Sequence, residues 1–310
     1  NKFQQKTDKL AYHKNFIDVP SDSSYTLRLF KENANFKATR PRLISGEKIA
    51  FGYEGDYEGM NIDIVSETPP EFEYRITKDK KTDTLNYWYK PRLEVDSLIF
   101  KVSKNDFEKE FTARISEQER DSLLIETSPS GNIGYNEDFK VSGTTPLLNF
   151  DASKVTLMDK DSTTVTFTTD FDTIKNAYSL KFDKTEDNNY RIEMLPEAFE
   201  DFFGDKNKDT LNYSFKTKKS SDFGYARFTL VNATYPLLIQ LTDKKGEVKV
   251  EQPVIKSGTI DFLNLAPAMY SIRIIHDVNG NKKHDTGNYL KKIQPEKVSH
   301  FQEIEIRADW

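Results

Sequence analysis

The 310-residue chain contains no cysteine. That excludes disulfide cross-links and thiolate metal sites, and it leaves the compartment open. Histidine is almost as scarce: His13, His276, His284 and His300 are the only four. No two of them have the spacing of a zinc-protease helix, and neither a nucleophile elbow nor a phosphate-cradling glycine loop is present. With 50 acidic residues, no single carboxylate pair points to glycoside hydrolysis. The sequence is therefore read as that of a non-enzyme. No window approaches the ~18 apolar residues of a membrane-spanning helix. Nor is there a basic cluster: a net charge of −5 is spread along the chain. That argues against nucleic acid and anionic membrane surfaces as partners. No secretory leader is seen, and the abrupt start at Asn1-Lys-Phe leads us to expect that a preceding segment has been removed.

What is present is aromatic and polar. Apolar residues make up 36% and charged residues 31%, a balance that suits several small modules better than one large core. The 22 Phe and 15 Tyr argue for order despite the polarity. Short runs alternate apolar and polar residues at a spacing of about 10–12 residues, the pattern of antiparallel sandwiches. They lie over 48–53, 60–64, 72–76, 84–89, 97–102, 111–115, 123–127, 155–158, 164–168, 190–194, 211–217, 227–231, 237–241, 248–250, 259–262, 270–276 and 304–307. The expected fold is all-β, a tandem of Ig-like or prealbumin-like antiparallel sandwiches. Helix is expected only in short turns near 105–110 and over 196–203, where Pro196 and Gly204 bracket an apolar run.

The expected modules are 1–40, 41–118, 119–218 and 219–310. The first is read as the C-terminal half of a sandwich. Its order of elements, Phe16-Ile-Asp-Val-Pro20 and then a strand over 25–30, parallels the order from Asn281 to the C-terminus. Within 41–118, Tyr87-Trp88-Tyr89 suggests a sugar-stacking platform at first sight. Consecutive strand residues point to opposite faces, so the three rings cannot form one platform and at least one belongs to the core.

The most specific local feature is the loop 277–285. Oxygen side chains alternate at Asp277, Asn279 and Asn281, and Asp285 follows. A loop that turns every second side chain inward can collect these around a hard cation such as Ca²⁺, with the Lys283 carbonyl as a fifth donor. It is not an EF-hand, because the positions for Gly and the bidentate Glu hold Lys282 and Asn288. The competing reading is an Asx-rich hairpin turn. Asp205, Asn207 and Asp209 repeat the alternation as a weaker second candidate. His276 and His284 flank the first loop without a third ligand at zinc spacing.

Over nearly the whole chain these residues resemble a family. The run 277–290 (Asp-Val-Asn-Gly-Asn-Lys-Lys-His-Asp-Thr-Gly-Asn-Tyr-Leu), then Gln294-Pro-Glu-Lys-Val298 and the ending Ile306-Arg-Ala-Asp-Trp310, resembles the C-terminus of Bacteroidota Ig-like-domain lipoproteins. Residues 119–218 are similar to their S-layer-type Ig-like domain. The matching markers are Tyr190-Arg-Ile-Glu-Met-Leu-Pro196, Asp201-Phe-Phe-Gly204, Asp209-Thr-Leu211 and Phe215-Lys-Thr217. The resemblance implies an N-terminal lipoprotein signal and an Ig-like domain ahead of a carboxypeptidase-regulatory-like sandwich, of which 1–40 would be the C-terminal half. It also implies lipid tethering at the cell surface of the outer membrane, in an oxidising, calcium-rich setting, and no known catalytic activity. The expected role is a structural or protein-interaction scaffold, an accessory subunit of an outer-membrane complex for protein assembly or export. Calcium-dependent glycan binding is the alternative, and would require an exposed row of coplanar aromatic rings.

Overall fold

The computed structural model describes residues 35–135, 137–288 and 292–309. The half-module expected for 1–40 therefore lies, up to residue 34, outside the described residues. So do its segment 16–20, its strand over 25–30, and Trp310. One compact unit comprises 35–219, and the described residues from 220 onward belong to a second.

The larger unit contains two sandwiches. In the first, β1 (Lys37–Ala38), β2 (Arg42–Ser45), β3 (Lys48–Glu54), β5 (Glu73–Lys78) and β6 (Thr84–Lys90) form one sheet in the order β1-β3-β6-β5, with β2 also on β3. β4 (Asn61–Ile64), β7 (Ser97–Lys104) and β8 (Phe107–Arg114) form the other. Ile49, Phe51, Tyr87, Tyr89, Leu98 and Phe100 meet between them as the core. Phe51, Tyr87 and Phe100 pack edge to face at centroid distances of 5.1–6.2 Å. The alternating runs over 48–53, 60–64, 72–76, 84–89 and 97–102 all form strands here. The helical turn expected near 105–110 is instead the β7–β8 hairpin. Lys104 pairs with Phe107 across Asn105-Asp106, and Asn105 takes a φ of +49°, the backbone that a two-residue hairpin turn demands.

The second sandwich comprises β9 (Ile125–Ser128), β10 (Gly131–Asn132), β11 (Phe139–Gly143), β12 (Leu147–Phe150), β13 (Val155–Met158), β14 (Thr168–Asp172), β15 (Ala177–Lys181), β16 (Asn189–Met194), β17 (Phe199–Asp201) and β18 (Leu211–Lys216). Its sheets run β10-β18-β16-β13 and β14-β15-β11-β9, with a β12–β17 pair beside them. Phe139, Val141, Leu180, Tyr190, Ile192 and Phe215 are buried between the sheets. Two expectations fail here. The run 164–168 contributes only a bridge from Thr164 to Met158, and the strand begins at Thr168. The run 196–203 is not helical. Glu197 has a φ of +61°, and Phe199–Asp201 pairs with Leu147–Phe150, so a strand partner overrides the Pro/Gly bracket that suggested a helix.

The third sandwich has β19 (Gly224–Thr229) paired with β22 (Thr259–Leu265). It faces a sheet of β21 (Val248–Val254), β20 (Leu237–Thr242), β23 (Ala268–Ile275) and β24 (Val298–His300), with β25 (Ile304–Ile306) also on β23. Tyr270, Ile272 and Ile274 of β23 enter the core with Leu237, Ile239 and Leu241. The chain is thus almost wholly β, a tandem of Ig-like antiparallel sandwiches. Among the described residues its only helical turns are short 3-10 pieces at Ala152–Lys154 and Ser220–Asp222. No helix among them is long and apolar enough to cross a membrane.

The aromatic core has a consequence at high pH. Burial pushes the hydroxyls of Tyr53 and Tyr89 up to about 12 and raises Tyr87 further still. A raised acid favours the folded state while it is neutral. That contribution is complete below the ordinary tyrosine value near 10 and is lost as pH rises through about 12. Stability is expected to fall from roughly pH 10 upward, with these rings ionising only as the first sandwich unfolds. Tyrosinate absorbance and near-ultraviolet circular dichroism, followed together in an alkaline titration, check this. Full tyrosinate absorbance while the near-ultraviolet signal stays intact would contradict it.

Candidate functional site

Two regions hold candidate functional residues: the junction between the first two sandwiches and the Asp277 loop of the third.

The junction begins with β6, whose residues 85–89 are all buried. A strand buried on both faces reads as a continuous run instead of an alternation, and this explains three consecutive aromatic residues. Tyr87 and Tyr89 point into the first core, while Trp88 points the other way, beneath the second sandwich. Its indole Nε1 donates to Thr77 Oγ1 at 2.9 Å. Lys48 Nζ sits 4.6 Å above its ring, and Phe203 meets it edge-on at 6.3 Å. None of the three rings is available to stack on a sugar.

Phe203 belongs to the loop that joins β17 to β18. Asp201, fully buried, organises it. One carboxylate oxygen accepts the N–H groups of Phe203 and Asp205 at 2.9 Å each, and the other accepts the Thr145 hydroxyl at 2.6 Å. Gly204 closes the turn at a φ of +89°, a left-handed backbone that disfavours side chains. The loop presents Phe202 and Phe203 to the first sandwich. Lys90 Nζ lies 4.6 Å from the Phe202 ring and donates to the Phe202 carbonyl at 2.9 Å. The Arg75 guanidinium sits 5.1 Å from the same ring, and the Arg120 guanidinium 4.3 Å from Phe203. Around these rings run a backbone bond from Lys78 N to the Ile174 carbonyl at 2.7 Å and ion pairs Lys48–Asp121 at 3.1 Å and Lys80–Glu126 at 2.5 Å. Solvated ion pairs contribute little. The buried rings and the Asp201 network carry the lock.

This geometry also places the weaker cation candidate. Asp205 pairs with Arg120 at 3.2 Å. Asn207 is buried. Its oxygen accepts Phe199 N at 2.9 Å, and its amide donates to the carbonyls of Leu195 and Asp209. Asp205 is thus held by Arg120, while Asn207 ties the loop to Leu195, Phe199 and the Asp209 carbonyl. Asp201, which the sequence reading missed, does more of that work, and Asn176, also missed, ties down the 143–147 connection beside it. Asn176 accepts Leu147 N and donates to the carbonyls of Gly143 and Thr145. Only Asp201 had a sequence signal, its place in the Asp-Phe-Phe-Gly marker. A cleft of about 500 Å³ opens beside the lock, lined in part by Lys48, Trp88, Asp121 and Asn176.

The Asp277 loop follows β23. Asp277 is buried. Its two oxygens accept the N–H groups of Asn281 at 3.0 Å and Lys282 at 2.8 Å, which winds the chain around it. Asn279 Oδ1 accepts Asn281 N at 3.0 Å, and Asn281 Oδ1 accepts Lys283 N at 2.8 Å. The amide nitrogens of Asn279 and Asn281 both donate to Asp285 Oδ2, at 2.5 and 2.9 Å. The structure therefore brings Asn279, Asn281 and Asp285 together, over a turn fixed by Asp277. It also adds Glu296, whose carboxylate accepts Val278 N at 2.8 Å and Asp285 N at 2.9 Å. Glu296 stands within the Gln-Pro-Glu-Lys-Val marker, but its reach across 18 residues to Val278 was not readable from spacing. His276 Nε2 lies 3.3 Å from Ser299 Oγ. Among the described residues no three His, Cys, Asp or Glu side chains gather as a metal cluster. The oxygens at this loop come from amides and backbone as much as from carboxylates.

Exposed aromatic side chains among the described residues are Tyr74, Tyr225 and Phe301. Tyr74 stacks on Tyr87 at 4.8 Å. Tyr225 is on β19, and Phe301 follows β24 in the opposite sheet. They form no row.

No protein-family model and no curated protein matches the chain. Solved structures align with it at low similarity. A three-domain Ig fragment of titin is 13% identical, over 78% of this chain and 94% of that one, with a TM-score of 0.20. The Bacteroides ovatus mixed-linkage glucan utilization locus protein SGBP-B, in complex with a mixed-linkage heptasaccharide, is 12% identical over 98% of this chain and 96% of that one, with a TM-score of 0.27. The N-terminal four Ig domains of Dscam1 are 11% identical over 78% and 75%, with a TM-score of 0.22. At such scores the alignments carry no argument about ligand or role; the tandem Ig-like architecture stands on the sheets described above.

Proposed function

We propose that the chain is a non-catalytic interaction scaffold displayed at the cell surface. In this reading it is the exposed part of a lipid-tethered outer-membrane protein, and it docks onto an integral outer-membrane complex for protein assembly or export. The supporting observation is the locked junction. Trp88, Phe202 and Phe203, rings that a glycan binder would leave open, fix two sandwiches against each other. A stiff pair of sandwiches suits the presentation of end loops to a partner. A stable docking interface would bury about 1,200–2,000 Å² in total. The test is a mild-detergent pull-down from native membranes, followed by substitution of the loops that contact what is recovered. Recovery of one defined outer-membrane complex, lost with those substitutions, is the expected result. Recovery of the protein alone would contradict it.

The same reading gives the Asp277 loop to Ca²⁺. Asp277, Asn279, Asn281, Asp285 and the Lys283 carbonyl would hold it. The donor chemistry fits: two carboxylates, two amide oxygens and a backbone carbonyl are the hard oxygen ligands that Ca²⁺ takes, and Asn279, Asn281 and Asp285 are already gathered. The ion would tie the loop down and stiffen this end of the third sandwich. Binding to the folded state alone adds about 2.7 kcal/mol at 100 times Kd. A higher melting temperature in calcium than in chelator is expected, and Asp285→Ala should abolish the difference. Equal melting temperatures for the unaltered chain would remove calcium from the account.

A further inference from the structure

The third sandwich gathers three of its connections at one end. β20 starts there, with Leu237 opposite Val254 at the end of β21. Leu238 stands opposite Ile275 at the end of β23, which in turn faces Val298 at the start of β24. In the other sheet the end of β19, Thr229, faces the start of β22, Thr259. The connections 230–236 and 255–258, and the described parts of the third, 276–288 and 292–297, therefore emerge together. A Cβ built on Gly280 would lie 3.9 Å from Pro236 Cγ, so the first and third are in contact.

Each connection carries at least one bare aliphatic side chain, and the third also exposes Ile293. Val231 is 80% exposed, Ile255 74% and Val278 81%, the three highest values for large hydrophobic side chains among the described residues. Single exposed hydrophobics scattered over a surface are ordinary. Three maxima on three loops at one end are not scattered.

Charge is sorted at the same end. The acids of these connections turn inward. Asp277 accepts the N–H groups of Asn281 and Lys282. Asp285 accepts two asparagine amides, and Glu296 accepts Val278 N and Asp285 N. Lys256, Lys282 and Lys297 are exposed. The whole-chain charge of −5 argued against anionic surfaces, but it averages over this arrangement.

We propose that this end of the third sandwich docks reversibly on an anionic phospholipid surface. Val231, Ile255 and Val278 enter the boundary between headgroups and acyl chains, and the lysines meet the phosphates. The acids of the third connection are taken up by its own amides and backbone N–H groups, so the charge it leaves outside is positive. Bare aliphatic side chains beside exposed lysines suit a headgroup layer, which recognises them without a fixed shape.

The experiment is flotation of the full chain with vesicles of phosphatidylcholine, alone or mixed with phosphatidylglycerol. Flotation is expected with the mixed vesicles, and partitioning should be about tenfold weaker with phosphatidylcholine alone or at high salt. The pairs Val231→Asp with Ile255→Asp, and Lys256→Glu with Lys297→Glu, should each cost about tenfold in partitioning at an unchanged melting temperature. Absence of flotation with the mixed vesicles overturns the proposal, as does equal flotation with the two compositions. The salt series needs no variant, so it decides the matter even if a substituted chain misfolds: binding that is indifferent to salt also overturns the proposal.

Discussion

Replacing Phe202 with alanine is expected to destabilise the 35–219 unit by about 3–5 kcal/mol, at the upper end for a single truncation. The ring is wholly buried, and it lies under Lys90 and Arg75 of the neighbouring sandwich. Its loss leaves a cavity, and it removes the apolar platform over which two cations are held. The surrounding loop is tied to Asp201 and cannot collapse freely into the space, so the cavity term should persist. Denaturant unfolding of the unaltered and substituted chains measures the effect. Limited proteolysis reads its location, because cleavage should appear in 202–205 and around 119–122, where the first sandwich passes into the second. A change under about 1 kcal/mol would mean that the ring does not anchor the junction.

Asp201→Ala is expected to cost about 3 kcal/mol through a different mechanism. No cavity of consequence forms. Instead the N–H groups of Phe203 and Asp205 and the Thr145 hydroxyl lose their common acceptor. Hydrogen bonds to a charged acceptor are worth about 1.5–3 kcal/mol each and do not add fully, and of the donors left behind the Thr145 hydroxyl is buried and the two N–H groups partly so. Asp201→Asn keeps one oxygen and the shape, so it should recover about half the loss. The double variant with Phe202→Ala should cost less than the sum of the two, since both residues hold one loop. Strict additivity in that cycle would mean that the Asp201 network and the Phe202 anchor act independently, and that the loop is not a single lock.

Many strands were legible because one face is buried and the other solvated, so 97–102 and 190–194 alternate plainly. β6 was harder. Its run of rings was correctly split between two faces, but nothing local showed that the outer face would be covered by Phe203, more than 100 positions later. The helix over 196–203 was misread because Pro196, Gly204 and an apolar run satisfy local rules. What decides the backbone there is the distant partner Leu147–Phe150 and the side chain of Asn207. The Asp277 loop was readable as a cluster of oxygens because its residues are near neighbours. Glu296 was not, since its bond to Val278 depends on β24 returning beside β23. The same return turns the acids of that loop inward. Net charge counted along the chain has no access to such sorting.

The central claim is that this chain works by docking on a stiff β scaffold and not by stacking carbohydrate on exposed rings. Affinity electrophoresis of the chain in native gels containing soluble polysaccharides, including a mixed-linkage glucan, tests it most directly. Unretarded migration in every gel is the predicted result. Retardation by a defined polysaccharide, at concentrations giving a micromolar Kd, would contradict the account and put calcium-dependent glycan binding in its place.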